Sequence, residues 1–349
     1  MKRFKGDQLI GRATKTLTAM LAFAALTAAA GCGEKEERQG GGDAEPFGVA
    51  LDFYVNPDHA GLYMALENDR FSEAGLDVTP RVPSDPSAPI QLVASGRVDL
   101  AISYEPEVMI ARDQGLPVVA VAALVPSPLT SLISLPKAGI DEPADLRNKT
   151  IATAGIPYQQ AFLDAILREE GLDPSDVETE NVGLGLLPAV LSGRADAMLG
   201  GFRNVEGVDL AERGERPRVV PVDELGIPTY DELVLVANSD RVAEDEGAEA
   251  IRLFIAALEH GTRDALEDPK AATEAVLEAG DGLDPKLTAA EIDATLPLLL
   301  PKSKQPYGFM KADEWDEFAG FLADEGVIAT RPARGEAFAN ELLPGQVPE

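Results

Sequence analysis

A repeated segment limits the folds open to this chain. Residues Leu92–Ser103 read LVASGRVDLAIS, and residues Ala189–Gly200 read AVLSGRADAMLG. Each copy has the pattern of a helix end, a Ser-Gly-Arg turn, an aspartate and a buried strand. An upstream strand–loop–helix pattern is also repeated, at residues 48–66 and 149–167. Two copies of one α/β unit, about a hundred residues apart, predict two similar lobes.

The order of the predicted elements indicates how the lobes are connected. From Phe47 onward, short apolar strands alternate with helices, which is typical of mainly parallel sheets with helices on both faces. Two apolar segments, Leu129–Leu135 and Asp231–Asn238, are predicted to be hinge strands. The sequence therefore predicts an α/β clamshell with three parts: a first lobe at 47–135, a second lobe at 136–230, and a return strand with C-terminal helices at 231–349 that complete the first lobe.

The loop after the first predicted strand is rich in groups that recognise small molecules. Ligands of open α/β sheets bind beyond the carboxyl ends of the strands, where this loop lies. Its aromatic, carboxylate, amide and imidazole groups suit a flat, nitrogen-rich heterocycle. Asp58 is predicted to cap the next helix, whereas His59 fits either the first turn of that helix or the ligand site. Three residues are predicted to contact a ligand: Asp52, Phe53 and Asn56.

Two other strand ends carry candidate ligand contacts. Tyr104 follows the third predicted strand, where its ring is placed to stack on a ligand. Glu105 either contacts the ligand or serves the free amides of the following helix. In the second lobe, Gly155 and Tyr158 lie where a strand leads into a helix, whose N-terminal amides suit a polar ligand group.

The segment that closes the second repeat supplies an acid. Glu206 is predicted to pair with a ring nitrogen and an exocyclic amine of the ligand; the alternative is a solvated acid at a helix start. Asn204, in the same segment, is a further candidate contact. Arg203 either serves an anionic ligand or neutralises Glu206.

The N-terminal region has the pattern of an export signal. A basic start precedes an uncharged apolar run, Leu17–Gly31, which is short for a bilayer span. Cys32, the sole cysteine, follows directly, and the junction resembles a bacterial lipobox. Residues 1–31 are therefore predicted to be a lipoprotein signal peptide, Cys32 the lipidation site and 32–46 a flexible tether; the alternative is an ordinary secretory signal. This predicts a protein lipid-anchored at the extracytoplasmic (periplasmic) face of the cell membrane.

Composition excludes several functions. The net charge of −30 disfavours nucleic acid and anionic lipid surfaces as partners. One cysteine and two histidines disfavour a structural zinc site. The sequence also lacks a phosphate-binding loop, a nucleophile elbow and a dinucleotide-binding fingerprint. No catalytic residue, metal or cofactor is predicted.

Several segments together resemble periplasmic binding proteins for thiamine pyrimidine precursors. The resemblance implies the type II, Venus-flytrap fold and an ABC importer component that captures a formylaminopyrimidine-like ligand by hinge closure. It also implies a permease and its ATPase subunit as partners, and a monomeric receptor. The segments that carry it are LDFYVNPDHAGLYMALE, AISYEPE, DQGLPVVAVAAL, GFRNVEGV and PVDELGIPTYDELVLVAN. It places seven residues at binding-loop positions: Asp52, Phe53, Asn56, His59, Tyr104, Tyr158 and Glu206.

Eukaryotic pyrimidine synthases are related to these binding proteins and share their fold, but they carry a cysteine-rich CCCFC segment and a histidine in the helix after the third strand. This chain has no such cluster, and Glu107, Val108 and Met109 occupy the corresponding helix. The resemblance therefore favours a receptor over an enzyme. Phe53 replaces the tryptophan common at its position, so the stacking surface is smaller. The remaining alternative is a receptor of the same fold for riboflavin, a sulfonate or nitrate, although carboxylates repel anions.

Overall fold

A computed structural model describes residues 44–300 and 305–345 of the 349-residue chain. These residues belong to one compact unit, Gly41–Glu349. The predicted signal peptide, Cys32 and most of the predicted tether lie outside the described residues. At the described end of that tether, Glu45 and Pro46 already belong to the first strand, because Glu45 pairs with Leu76.

The described residues form strands and helices in near alternation. The strands are β1 Glu45–Ala50, β2 Leu76–Arg81, β3 Leu100–Ser103, β4 Val118–Val125, β5 Thr130–Ser134, β6 Thr150–Thr153, β7 Glu178–Asn181, β8 Ala197–Phe202, β9 Arg218–Pro221 and β10 Leu233–Asn238. The helices are α1 Ala60–Glu67, α2 Arg70–Glu73, α3 Ala88–Ala94, α4 Glu105–Asp113, α5 Pro157–Glu169, α6 Leu186–Ser192, α7 Glu206–Glu212, α8 Ser239–Val242, α9 Asp245–Glu267, α10 Pro269–Ala279, α11 Pro285–Thr295 and α12 Ala312–Asp324.

The strands of this region form two five-stranded sheets with equivalent topology. The first has the order β2-β1-β3-β10-β4 and the second the order β7-β6-β8-β5-β9. In each sheet four strands run in the same direction, and one runs antiparallel to both of its neighbours: β10 in the first sheet and β5 in the second. The repeat is therefore structural: α3 and β3 correspond to α6 and β8, and β1 with α1 corresponds to β6 with α5.

The predicted hinge strands are members of the two sheets. β5 pairs with β8 and β9 in the second sheet, so the structure differs from the predicted boundary at residues 135 and 136. The chain crosses between the lobes in the segments 126–129 and 222–232. Glu232 joins these segments, because its carboxylate accepts hydrogen bonds from the amides of Leu129 and Thr130, both at 2.7 Å.

Close helix packing fixes the position of the first binding loop. α1 lies against α9, where a Cβ on Gly61 would sit 2.3 Å from Thr262 Oγ1 and one on Gly261 would sit 2.3 Å from the Gly61 carbonyl oxygen. Only glycine fits at such distances. α9 also carries Phe254, which stacks on Phe47 and Phe71 in the core of the first lobe. The loop before α1 is therefore held against the carboxyl end of β1.

Within residues 44–300 and 305–345, no helix is long and apolar enough to cross a membrane.

Candidate ligand-binding site

A cavity lies between the carboxyl ends of the strands of the two lobes. It encloses about 390 Å³ of unfilled space, part of it open to solvent. Both lobes line it, through Asp52, Phe53, Asn56, Tyr104, Ala154, Ile156, Tyr158, Gln159, Gly200, Phe202, Val205 and Glu206.

Asp52 is held by two hydrogen bonds at the first-lobe wall. Its Oδ1 accepts from His59 Nε2 at 2.9 Å, and its Oδ2 accepts from the Tyr104 hydroxyl at 2.9 Å. The Asn56 amide donates to His59 Nδ1 at 3.3 Å, so the imidazole carries its proton on Nε2. Asn56 also accepts from the Asp58 amide at 2.8 Å and so fixes the turn that leads into α1. The carboxylate of Asp52 is therefore oriented before any ligand arrives.

Glu206 is the acid of the second-lobe wall. It begins α7 and is 6% exposed, and its Oε2 accepts from the Phe202 amide at 2.7 Å. Burial raises its pKa to about 7, while the backbone bonds and the Tyr54 hydroxyl oppose that shift. Near neutral pH the carboxyl is therefore present in both its neutral and its charged forms. In the neutral form it both donates and accepts.

Aromatic rings form much of the remaining wall. Tyr104 meets Tyr158 edge to face with ring centroids 5.9 Å apart, and it meets Phe202 in the same way at 6.5 Å. These contacts join the lobes, since Tyr104 belongs to the first and the other two to the second. Phe53 adds a partly exposed ring. The cavity thus offers apolar faces around two carboxyl groups.

Gln159 and Gly200 shape the floor in the second lobe. Gln159 Oε1 accepts from the Ala154 amide at 2.9 Å. Its Nε2 lies over Gly200, where an added Cβ would be only 2.2 Å away. Gly200 also has φ +112°, a conformation that side-chain-bearing residues rarely adopt. The second repeat ends in glycine because the Gln159 side chain fills the space that a side chain at position 200 would need.

Four of the ten predicted ligand contacts do not line the cavity. His59 lies behind Asp52, and Gly155 lies between the lining residues Ala154 and Ile156 with φ +79° and its Cβ position filled by Asn181. The other two make contacts elsewhere: Glu105 accepts from the Asp231 amide at 2.7 Å, and Asn204 binds Asp58 and Thr295.

The six others do line it: Asp52, Phe53, Asn56, Tyr104, Tyr158 and Glu206. The remaining lining residues were missed, namely Ala154, Ile156, Gln159, Gly200, Phe202 and Val205. Phe202, Val205 and Gly200 are neighbours of Glu206, so their proximity to it was readable from the sequence. Gln159 directly follows Tyr158 and is the third residue of α5. Nothing in the sequence pattern distinguishes it from a residue on the helix surface.

The charge of the cavity is set by acids alone. Among the described residues that line it, none is a lysine or arginine. Arg203 Nε donates to the Pro128 carbonyl oxygen at 3.1 Å, in the chain crossing, and this contact serves neither of the roles considered from the sequence. The site therefore suits a neutral or cationic ligand with hydrogen-bond donors.

Comparison with known proteins identifies relatives of this chain. A family model described as NMT1/THI5 like matches residues 56–272. The formylaminopyrimidine-binding protein of Halalkalibacterium halodurans is 37% identical over 277 residues, 78% of this chain and 83% of that protein. A putative thiamine biosynthesis protein of Haemophilus influenzae is 35% identical over 286 residues, 81% of this chain and 88% of that protein. More distant fungal relatives are named 4-amino-5-hydroxymethyl-2-methylpyrimidine phosphate synthases.

A solved structure gives the fold independently. The alkanesulfonate-binding protein of Xanthomonas axonopodis pv. citri, bound to MOPS, superposes with a TM-score of 0.67 at 16% identity, covering 86% of this chain and 99% of that chain. The predicted two-lobe periplasmic-binding-protein fold is thus confirmed. The resemblance seen in the binding-loop segments is confirmed as well, since the family model and the relatives cover most of both lobes. The chain belongs to the NMT1/THI5-like family.

Proposed function

We propose that this protein is the extracytoplasmic solute-binding component of an ABC importer and that it captures a formylaminopyrimidine-like precursor of the thiamine pyrimidine. One observation carries the proposal: buried Asp52 and Glu206 reach the same aromatic-walled cavity from opposite lobes. The name of the Halalkalibacterium halodurans relative supports the same ligand class.

The chemistry of the ligand edge fits Glu206. A 4-aminopyrimidine presents a ring nitrogen that accepts and an adjacent amine that donates. A neutral carboxyl group presents the complementary donor and acceptor. Because burial raises the pKa of Glu206 to about 7, that neutral form is accessible near neutral pH. The rings of Tyr104, Tyr158 and Phe202 supply apolar contact to the flat heterocycle.

A binding protein with this site needs no catalytic group. The pyrimidine synthases among the relatives are enzymes by name, so the distinction requires a measurement. A receptor returns its ligand unchanged, whereas a synthase forms a phosphorylated pyrimidine. Incubation of the purified protein with a candidate ligand, followed by mass spectrometry of the released compound, separates the two. Recovery of a changed compound would favour the enzyme.

The location and partners form part of the proposal. The apolar leader and Cys32 support an exported lipoprotein, tethered by the residues between Cys32 and β1, which begins at Glu45. The receptor is proposed to be a monomer. The tether would keep the receptor beside a permease and its ATPase subunit.

Native ligand identification tests the proposal. The protein is purified gently, denatured, and the released small molecules are analysed by mass spectrometry. We expect an aminopyrimidine. Retention of a sulfonate, nitrate or a flavin would instead establish a receptor for another solute. The lack of lysine and arginine among the described lining residues argues against the anionic solutes, since an anion would be buried against two acids.

A further inference from the structure

Asn204 connects the two lobes without lining the cavity. It lies between β8 and α7 of the second lobe, and its Nδ2 donates to Asp58 Oδ1 and to Thr295 Oγ1, both at 2.8 Å. Asp58 lies in the turn before α1, and Thr295 ends α11, so both partners belong to the first lobe. All three residues are buried. We call this set, Asn204 with Asp58 and Thr295, the interlobe bridge.

The interlobe bridge can form only when the lobes are together. Opening about the chain crossings at 126–129 and 222–232 would separate Asn204 from both partners, which would then bind water. Burial makes each of these hydrogen bonds costly to break without replacement. In the closed cleft the bridge is not fully satisfied, since Asp58 Oδ2 and Asn204 Oδ1 are buried without a partner. Those two unpaired atoms oppose closure, so the bridge holds the lobes reversibly.

Two further polar contacts between the lobes are exposed, unlike the hydrogen bond of the Tyr54 hydroxyl with buried Glu206. Arg168 donates to Glu325 at 2.6 Å, and Lys286 donates to Glu212 at 2.7 Å. Both cations are more than half exposed, and such ion pairs contribute little to stability. They provide matched controls, because each joins the same two lobes outside the buried region.

We propose that Asn204 is a positioning residue that keeps the ligand-loaded cleft closed and thereby sets the rate of ligand release. This rests on the proposed receptor function. Asn204 acts through Asp58 and Thr295, and it leaves the ligand-contacting surface unchanged. Its removal therefore accelerates dissociation more than it slows association, since association depends on the open form.

Substitution of Asn204 by aspartate gives a pH readout specific to the bridge. Asn204→Asp places a second carboxyl against Asp58, and the two repel when both are charged. Below neutral pH one shared proton restores an O–H···O contact, so closure recovers as the pH falls. The titratable groups that influence Asp58 are His59 and Asp52 on its own loop, with Glu206 and Glu291 from α7 and α11. The comparison is made against wild type at each pH, because those groups are common to both.

The experiment uses the mature chain with Cys32→Ser, which is free of cysteine, and formylaminopyrimidine as the probe. Val82→Cys and Leu184→Cys add label sites at exposed positions, one in each lobe. Stopped-flow displacement gives the dissociation rate, and spin-label distance distributions give the populations of open and closed protein. The test variants are Asn204→Ala and Thr295→Val; the controls are Arg168→Gln and Lys286→Gln. Thermal melts confirm that each variant is folded.

For Asn204→Ala we expect dissociation to accelerate about tenfold or more, with association changed by less than about threefold. The label distances should lengthen, and neither control should move either readout. Dissociation within about twofold of wild type, with unchanged distances, would overturn the role of Asn204. If the wild-type protein does not bind the probe, the proposed function fails. The label distances of the ligand-free variants then still test whether the interlobe bridge holds the lobes together. In that case, distances in Asn204→Ala equal to those of wild type overturn it.

Discussion

Replacing Glu206 by glutamine keeps the size of the side chain but fixes the acceptor on one atom and the donor on the other, whereas either oxygen of the carboxyl group can accept a hydrogen bond. In the structure Oε2 accepts from the Phe202 amide at 2.7 Å, and the residue is 6% exposed. A glutamine that keeps its carbonyl oxygen on that amide turns its NH2 group toward the cavity. A ligand amine would then meet a donor and lose its partner. Leaving a buried donor unpaired costs about 1–3 kcal/mol, which corresponds to about a 5- to 150-fold weaker Kd.

Isothermal titration calorimetry with formylaminopyrimidine near pH 7 measures this change. Glu212→Gln is the matched control, because it makes the same substitution at the exposed end of α7. Glu206→Gln should retain the unfolding temperature of wild type, since the amide replaces a carboxyl whose pKa burial already raises. An affinity within about twofold of wild type would remove Glu206 from the site and refute the reasoning from its hydrogen bonds.

Three further predictions concern other parts of the chain. Burial raises the pKa of Asp58, Glu107 and Glu206 to about 7. The stability that these neutral carboxyl groups contribute is therefore complete below their unfolded pKa and is lost as the pH rises through about 7. Thermal melts of the ligand-free protein should show a Tm that falls from about pH 5 to about pH 8, and a rising Tm would contradict this. Gly200→Ala should weaken ligand binding in calorimetry and lower Tm, because its Cβ would lie 2.2 Å from Gln159 Nε2 at φ +112°; an alanine variant with wild-type affinity would show that the glutamine moves freely. Cys32→Ser should release the protein from membranes in fractionation while leaving binding intact, and a variant that stays fully membrane-bound would argue against the lipid anchor.

The fold was predictable because its determinants are local and repeated. The alternation of strands and helices predicted from Phe47 onward is present, because prolines and turn residues separate the elements locally; Pro269, for example, begins α10. The assignment of β5 to the first lobe failed for a different reason. Its apolar run predicts a buried strand in either sheet, and pairing with β8 and β9 is a long-range choice that the run does not encode.

The site was predictable where a residue lies directly at a strand end. Asp52 and Tyr104 follow β1 and β3, so the parallel sheet brings them to one edge, where they hydrogen-bond at 2.9 Å. Glu105 is one residue further on and turns away, because the helix it begins directs its carboxylate to the Asp231 amide, 126 residues distant in sequence. Asn204 was misassigned for a similar reason, since its partners Asp58 and Thr295 belong to the other lobe. Contacts formed across the cleft leave no local pattern.

Calorimetric titration of the purified protein with formylaminopyrimidine tests the central claim most directly. The receptor account predicts one site per chain with micromolar or tighter affinity, about −8 kcal/mol or more favourable. Hydroxymethylpyrimidine, thiamine, riboflavin and an alkanesulfonate serve as competing ligands in the same cell. Saturable binding of formylaminopyrimidine that is abolished in competition only by related pyrimidines is the expected result. No heat of binding with any pyrimidine, or tight binding of the sulfonate, would contradict the account.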